Sequence, residues 1–255
     1  KKLCVFSRYR FMSFKIFPAI DLRGGNCVRL LQGDYSRETI YRTTPVEQAT
    51  LFQEAGASWV HIVDLDAALS GDPVNHLIIK EIAEVLDIPI QVGGGIRTQK
   101  DARSMFDAGV ERVVIGTVAI ESPDIVSESS EYGRVAVGVD VSGEEIATHG
   151  WTRRTGVSLI EGLQKFSEDE VDAFIVTQIE QDGTMNGPDL EILRTSLEET
   201  CINVVASGGV GSISDIKDLK KLEASRKSLE GVIIGKAIYE NVFSLFEALE
   251  LEDDS

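Results

Sequence analysis

Long apolar runs are missing from this sequence. None approaches the ~18 residues that a membrane-crossing helix requires, so a protein built on transmembrane helices is not expected. Basic charge is scarce as well. The 25 Lys and Arg are outnumbered by 42 Asp and Glu, for a formal charge of -17. Duplex DNA, structured RNA and anionic membranes would meet a repulsive field rather than a basic stripe, and are not expected as partners. Cysteine is limited to Cys4, Cys27 and Cys201, an odd count with no CxxC. They read as reduced, mostly buried thiols of a cytoplasmic protein rather than a disulfide framework. Histidine is equally rare. His61, His76 and His149 share no ligand spacing with one another or with Cys, so no metal site is expected.

What is present is a chain of 255 residues, 43% hydrophobic and with 23 glycines, long enough for a large core. Residues 1–11 lack an initial Met, carry four basic residues and offer only Leu3-Cys4-Val5-Phe6 as an apolar stretch, too short for a secretory signal. Met12-Ser13-Phe14 reads as a natural start. The expectation is that residues 1–11 are a start-site artefact, or else a disordered arm, and that residues 12–255 form one domain.

Short β-branched runs alternate with Gly- or Asp-bearing turns and amphipathic segments. Eight strands are expected, at residues 16–20, 59–63, 88–92, 112–115, 134–139, 173–177, 203–206 and 231–234. Most are continuous apolar runs, as parallel strands buried on both faces should be. Helix starts are marked by Thr44-Pro45, by Thr98 with Asp101, by Ser122-Pro123, by Gly187-Pro188 and by Ser212 with Asp215. Eight βα units in about 250 residues indicate an α/β fold of the (β/α)8 TIM-barrel type. A doubly wound sheet would need a switch point and a GxGxxG after the first strand, and neither is visible.

The chain also repeats itself. Asp21 in Pro18-Ala19-Ile20-Asp21 corresponds to Asp140 in Val137-Gly138-Val139-Asp140, an offset of 119 (140 less 21). Ile115-Gly116-Thr117 corresponds to Ile234-Gly235-Lys236 at the same offset, and Gly94-Gly95-Ile96 to Gly208-Gly209-Val210 at 114 (208 less 94). Two related half-barrels follow.

In such a barrel chemistry resides where strands end. Asp21 and Asp140 close strands one and five, on opposite sides of the ring, and can divide the roles of acid and base. Each alone could equally cap a loop. Asp64 and Asp66, after strand two, read as structural, orienting loop one or nearby backbone. Gly93-Gly94-Gly95 with Gly116-Thr117 could cradle one phosphate through backbone amides, and Ser207-Gly208-Gly209 with Gly235-Lys236 a second. The plainer alternative is that these glycines only permit tight turns. Two cradles would imply a small substrate phosphorylated at both ends.

Phe17-Pro18-Ala19-Ile20-Asp21-Leu22-Arg23-Gly24-Gly25, followed by Val28-Arg29-Leu30-Leu31-Gln32-Gly33-Asp34-Tyr35, resembles the opening of the ProFAR isomerases of histidine biosynthesis. The likeness runs from about Phe14 to Leu249 through Val63-Asp64-Leu65-Asp66, Gly93-Gly94-Gly95-Ile96-Arg97, His149-Gly150-Trp151, Thr177-Gln178-Ile179-Glu180-Gln181-Asp182-Gly183-Thr184 and Ala206-Ser207-Gly208-Gly209-Val210. The cyclase subunit of imidazole glycerol phosphate synthase shares the half-barrel repeat but has a different opening.

The resemblance implies an Amadori rearrangement of a bis-phosphorylated aminoaldose to an aminoketose. It makes Asp140 the acid that opens the ribose ring to a Schiff base, and Asp21 the base that takes the C2′ proton. It implies no cofactor, because the imine is the electron sink. It further implies that Trp151 stacks on the carboxamide-imidazole, that Thr177 and Asp182 with the adjoining Gly183 position substrate or acid, and that Arg29 and Arg97 make electrostatic contacts, Arg29 alternatively a salt bridge at the mouth. Ala67-Ala68 follows Asp66 where the isomerases commonly have Gly-Ala. The strings Asp-Leu-Asp-Ala-Ala and Asp-Gly-Thr also resemble a bifunctional isomerase that acts on phosphoribosylanthranilate as well. That enzyme usually carries Arg two residues before the loop Trp, where this chain has His149. A single activity is therefore preferred over two, with a non-catalytic phosphoribosyl-binding regulator as the reading from another class. A monomer is expected.

Overall fold

The computed structural model describes residues 13–252 other than 169 and 226, so the reading of residues 1–11 lies outside the described residues. Eight parallel strands form the barrel: β1 (Lys15–Arg23), β2 (Val60–Asp64), β3 (Ile90–Gly93), β4 (Arg112–Ile115), β5 (Arg134–Ser142), β6 (Ala173–Gln178), β7 (Asn203–Ser207) and β8 (Gly231–Ile234). They pair in sequence order, and β8 returns to β1 with Lys15 opposite Gly231, which closes the ring. Outer helices follow the strands in turn: α1 (Pro45–Glu54), α2 (His76–Val85), α3 (Gln99–Asp107), α4 (Asp124–Ser130), α5 (Leu159–Leu163), α6 (Leu190–Glu199), α7 (Ile213–Lys221) and α8 (Leu245–Leu249). The expected strands are all present, with ends displaced by a few residues at most and β1 and β5 running on into the mouth.

Helix starts follow the expected signals with two refinements. Thr44 and Thr98 form full capping boxes with Glu47 and Asp101. Ser212 accepts from the Asp215 amide, but Asp215 turns its carboxylate to the Gly211 amide instead. After Gly187-Pro188 the cap is Asp189, which accepts from the Glu191 and Ile192 amides.

Strand alternation divides the core in two. Ile16, Ile20 and Leu22 of β1 join the outer core against the helices, while Phe17 and Ala19 join an inner cluster with Trp59, Val114, Ala136, Ala173, Ile175, Val205 and Ile233. The same parity carried upward points Asp21, Asp140, Thr177 and Ser207 into the mouth. At the opposite end the barrel is plugged by charge. Arg112, fully buried, bonds Gln91 at 2.9 Å, Asp172 at 2.7 Å and Glu230 at 3.0 Å, and its guanidinium lies 5.1 Å from the Trp59 ring.

A feature absent from the expected elements is a pair of antiparallel hairpins over the mouth. After β1 the chain turns at Gly24-Gly25 into the strands Asn26–Leu31 and Asp34–Ile40; after β5 it turns at Gly143-Glu144 into Glu145–Thr148 and Arg153–Ser158. The ladders match residue for residue. Asp21 opposes Val28 and Asp140 opposes Ala147, Arg23 opposes Asn26 and Ser142 opposes Glu145, each pair related by the same 119 (147 less 28). The half-barrel repeat therefore includes its hairpins. Cysteine departs from expectation: Cys27 is a free buried thiol, but Cys201 is disulfide-bonded. Among the described residues no helix is long and apolar enough to cross a membrane.

Removing one member of a buried charge cluster strands the others. Arg112→Leu leaves Glu230, itself 2% exposed, without its cation and should destabilise the fold by about 3–5 kcal/mol. Guanidinium unfolding checks this. Arg112→Leu combined with Glu230→Leu should recover most of the loss, and equal midpoints for the single variant and the wild type would refute it.

Candidate active site

Asp21, Asp140, Thr177 and Ser207 reach the mouth because they continue the inward parity of their strands. Strand register sets three of them side by side, Thr177 opposite Asp140 on one flank and opposite Ser207 on the other.

Asp21 stands next to a cation. The Arg29 guanidinium, on the first hairpin strand, lies 2.5 Å from its carboxylate, and also donates to the Ala19 carbonyl. Of the two readings of Arg29, the salt bridge is the one present. Asp140 has no such cation. Burial pushes its carboxyl above the usual range, while hydrogen bonding from Trp151 and Thr177 partly offsets this by favouring the ionised form.

Asp182 is a second buried carboxyl of the mouth whose pKa is raised. It sits in the turn after β6, its amide donating to the Gln178 carbonyl at 2.9 Å. The buried Gln178 side chain closes the same loop by two 2.6 Å bonds to the Asp189 backbone. Burial and the nearby charge of Asp21 raise its pKa to about 7, with Asp140 adding to the rise and Arg29 and Lys236 opposing it. Lys236 is held there by donating to the Gly183 carbonyl at 2.9 Å. Asp182 thus interacts with both carboxylates that the repeat had singled out.

Loop packing accounts for several of the glycines. A Cβ on Gly94, at φ +99°, would lie 2.2 Å from the Asp64 carbonyl oxygen, and one on Gly209 would lie 2.5 Å from that of Gly187. Both positions need glycine whether or not phosphate binds. Gly95 and Gly208 belong to the same turns. Gly116 differs in that its missing side chain faces open space, and the Thr117 hydroxyl beside it accepts from the His149 amide at 2.9 Å.

Arg97 has a structural contact. Its guanidinium donates to the Ala68 carbonyl at 3.0 Å beside Gly71. Asp64 and Asp66 behave as the structural reading expects. Asp64 accepts from the Ala67 amide and from Asn75, and Asp66 accepts from Asn75 and, at 2.7 Å, from the Gly24 amide in loop one. Among the described residues no group of three or more His, Cys, Asp or Glu could hold a metal ion.

The hairpins meet above these groups. The Trp151 ring packs against the tip of the first hairpin so closely that a Cβ on Gly33 would lie 2.6 Å from it. Gln32 donates to the Glu180 carbonyl at 3.0 Å, and Ser142 to the Glu180 carboxylate at 2.6 Å.

A family model described as histidine biosynthesis protein matches residues 15–244. The chain belongs to the histidine biosynthesis protein family. Relatives named 1-(5-phosphoribosyl)-5-((5-phosphoribosylamino)methylideneamino)imidazole-4-carboxamide isomerase include one from Prochlorococcus marinus, 45% identical over 93% of both chains. Another, from Synechocystis, is 46% identical over 92% of both chains. A third, from Brevibacillus brevis, is 43% identical over 94% of this chain and 96% of its own.

For a member of the histidine biosynthesis protein family, sequence reading missed mainly the hairpins and what they carry. Gln32-Gly33 and Gly143 are turn signals, and the 119 offset extends across them, so that evidence was legible. Contacts among Gln32, Glu180 and Ser142 left no such pattern, because they join three loops far apart in sequence.

Asp182 generates a test. Unfolded, its carboxyl titrates near the ordinary 3.8; folded, near 7. A raised folded value means stability is fully present below about pH 4 and is lost as pH rises through 7. Asp182→Asn abolishes that loss. Thermal melts should therefore show the variant gaining on the wild type from pH 4.5 to 8.5, and a constant gap would contradict the assignment.

Proposed function

We propose that this chain isomerises an aminoaldose phosphorylated at both ends, the imidazole-carboxamide ribotide that the relatives' names give as substrate, to the corresponding aminoketose. The observation that carries the reading is the trio Asp21, Asp140 and Asp182 at one barrel mouth, with Asp182 near neutrality and coupled to the other two.

Asp21, beside Arg29, serves as the base that takes the C2′ proton. The acid that protonates the ring oxygen must hold a proton near neutral pH. We assign the role to Asp182, whose carboxyl burial and the charge of Asp21 raise to about 7, in place of Asp140, which the resemblance implies and whose carboxyl burial also raises. Asp140 and Thr177 then position the ribose. Ring opening places the proton on the ring oxygen and leaves a Schiff base. Loss of the C2′ proton to Asp21 gives the enolamine, and protonation of the former imine carbon with release of the C2′ hydroxyl proton gives the ketose. The imine accepts the electron pair throughout, so no cofactor is required.

The phosphates would lie at Gly94, Gly95, Gly116 and Thr117 on one side and at Ser207, Gly208, Gly209, Gly235 and Lys236 on the other. Trp151 would cover the heterocycle between them, with Gly183 shaping the floor. Biosynthetic relatives support a cytoplasmic setting, and a small molecule is the only partner this reading requires. Activity on phosphoribosylanthranilate has no support. His149, standing where dual enzymes carry Arg, lies 3.7 Å from Glu121 and 3.2 Å from Thr148.

A two-substrate assay tests this. The purified chain should turn over the aminoaldose and not phosphoribosylanthranilate. Asp21→Asn and Asp182→Asn should each lower kcat by at least about 10²-fold. Asp140→Asn should retain the alkaline limb of the kcat/KM profile. Loss of that limb in Asp140→Asn, with Asp182→Asn active, would return the acid role to Asp140; binding without product would favour the regulator.

A further inference from the structure

Asp21 and Asp140 occupy equivalent places in the two half-barrels, yet only Asp21 has a cation beside it. Behind that cation is an aromatic stack. The Arg29 guanidinium lies 4.8 Å from the centre of the Tyr239 ring, and Tyr239 in turn lies 4.5 Å from the Tyr41 ring. Tyr41 is anchored by donating to Glu240 at 3.0 Å. The Tyr239 hydroxyl is buried against the Cys27 thiol, and it is the ring face that meets the guanidinium. The fit is tight, because a Cβ on Gly235 would lie 2.7 Å from the guanidinium carbon.

Applying the 119 offset, Arg29 corresponds to Thr148 and Tyr239 to Ile120 (239 less 119). Both counterparts are buried, at 2% and 5% exposure. The Asp140 side of the mouth therefore lacks the cation and its platform together. Two positions 210 apart in sequence (239 less 29) differ between the halves as one unit, which marks them as one device rather than two separate packing choices.

We propose that Tyr239 is a positioning residue for the isomerisation, its ring holding Arg29 against Asp21, with Tyr41 as the outer layer of the same support. The proposal rests on the reading of Asp21 as the base. A guanidinium over an aromatic face gains by the ring quadrupole and loses rotational freedom, and both effects keep it on the carboxylate. The charged and titratable groups facing Asp21 are Arg29 and Cys27 from the first hairpin, Tyr35 from its second strand, Tyr41 beyond it, Asp182 from loop six and Tyr239 from the helix after β8. Arg29 is the one cation among them. It bears on Asp182 as well, where its charge opposes the rise.

Loosening Arg29 therefore removes a charge that opposes the rise of Asp182 and frees the Asp21 carboxylate to move. In Tyr239→Leu the alkaline limb of the kcat/KM profile for the aminoaldose should move to higher pH, by about half a unit or more, with kcat down about tenfold and KM within threefold. Tyr239→Phe should keep the wild-type limbs. If Tyr239→Leu does not fold, as circular dichroism would show, Tyr41→Leu provides a smaller shift in the same direction. Carboxyl carbon NMR supplies an arm independent of turnover: the Asp182 midpoint should rise in Tyr239→Leu and stay in Tyr239→Phe. An unmoved alkaline limb and an unmoved midpoint would overturn the proposal, as would a Phe variant that shifts as far as Leu. A rise in KM alone would mean that Tyr239 merely supports the neighbouring loop. A wild type without turnover, but with the expected NMR shifts, would sink the functional reading and leave the support intact.

Discussion

Closing eight parallel strands into a ring leaves two open ends whose inward side chains cannot all be apolar, and the two ends resolve that constraint in opposite ways. At the N-terminal end of the strands, charges are matched. Arg112 meets Asp172 and Glu230, Arg134 meets Asp172, and Trp59 lies against the guanidinium groups of both arginines. At the other end carboxylates outnumber cations. Arg29 stands beside Asp21, and burial together with the charges of Asp21 and Asp140 drives Asp182 up to about 7 against the pull of Arg29 and Lys236. The matched end stabilises the fold, whereas the unmatched end gathers the carboxylates to which the proposed function gives the roles of acid and base. Surplus negative charge is thus the source of reactivity and also a cost to stability.

The acidic surface and a doubly phosphorylated substrate are compatible for a related reason. Net charge describes the far field, which governs encounter with polymeric anions. Binding of a small phosphate in the mouth depends on a few oriented amides and one or two local cations at short range. Lys236 illustrates the local scale, since its ammonium is tied to the Gly183 carbonyl beside Asp182 rather than spread over the surface.

Barrel, repeat and carboxylate pair were legible because each rests on local periodicity or on a single spacing. Apolar runs marked the strands, and parity within them placed Asp21 and Asp140 in the mouth. Asp182 was legible only through resemblance. Its perturbation comes from burial and from Asp21, which is 161 residues away in sequence (182 less 21), and no spacing rule connects the two. Arg97 carries a contact that no motif announced. A conspicuous Gly-Gly-Gly-Ile-Arg string suggested an electrostatic contact with substrate, while the guanidinium donates to the Ala68 carbonyl. Glycines were an ambiguous signal, since Gly94 and Gly209 are required by backbone approach alone.

Duplication explains why the mouth has two carboxylates, but it does not explain why they differ. The hairpin ladders keep the same register in both halves, so the backbone offers Asp21 and Asp140 equivalent positions. Divergence lies in what the hairpins bring. The first delivers Arg29 to Asp21; the second delivers Thr148 at the equivalent place, and Trp151 reaches Asp140 from the turn beyond. A symmetric pair of carboxylates at one mouth would titrate together and give neither a dependable acid nor a dependable base. Placing one cation on one side breaks that symmetry with the fewest changes. It sets a charged partner beside Asp21, while Asp182, buried and facing the charge of Asp21, is raised to about 7.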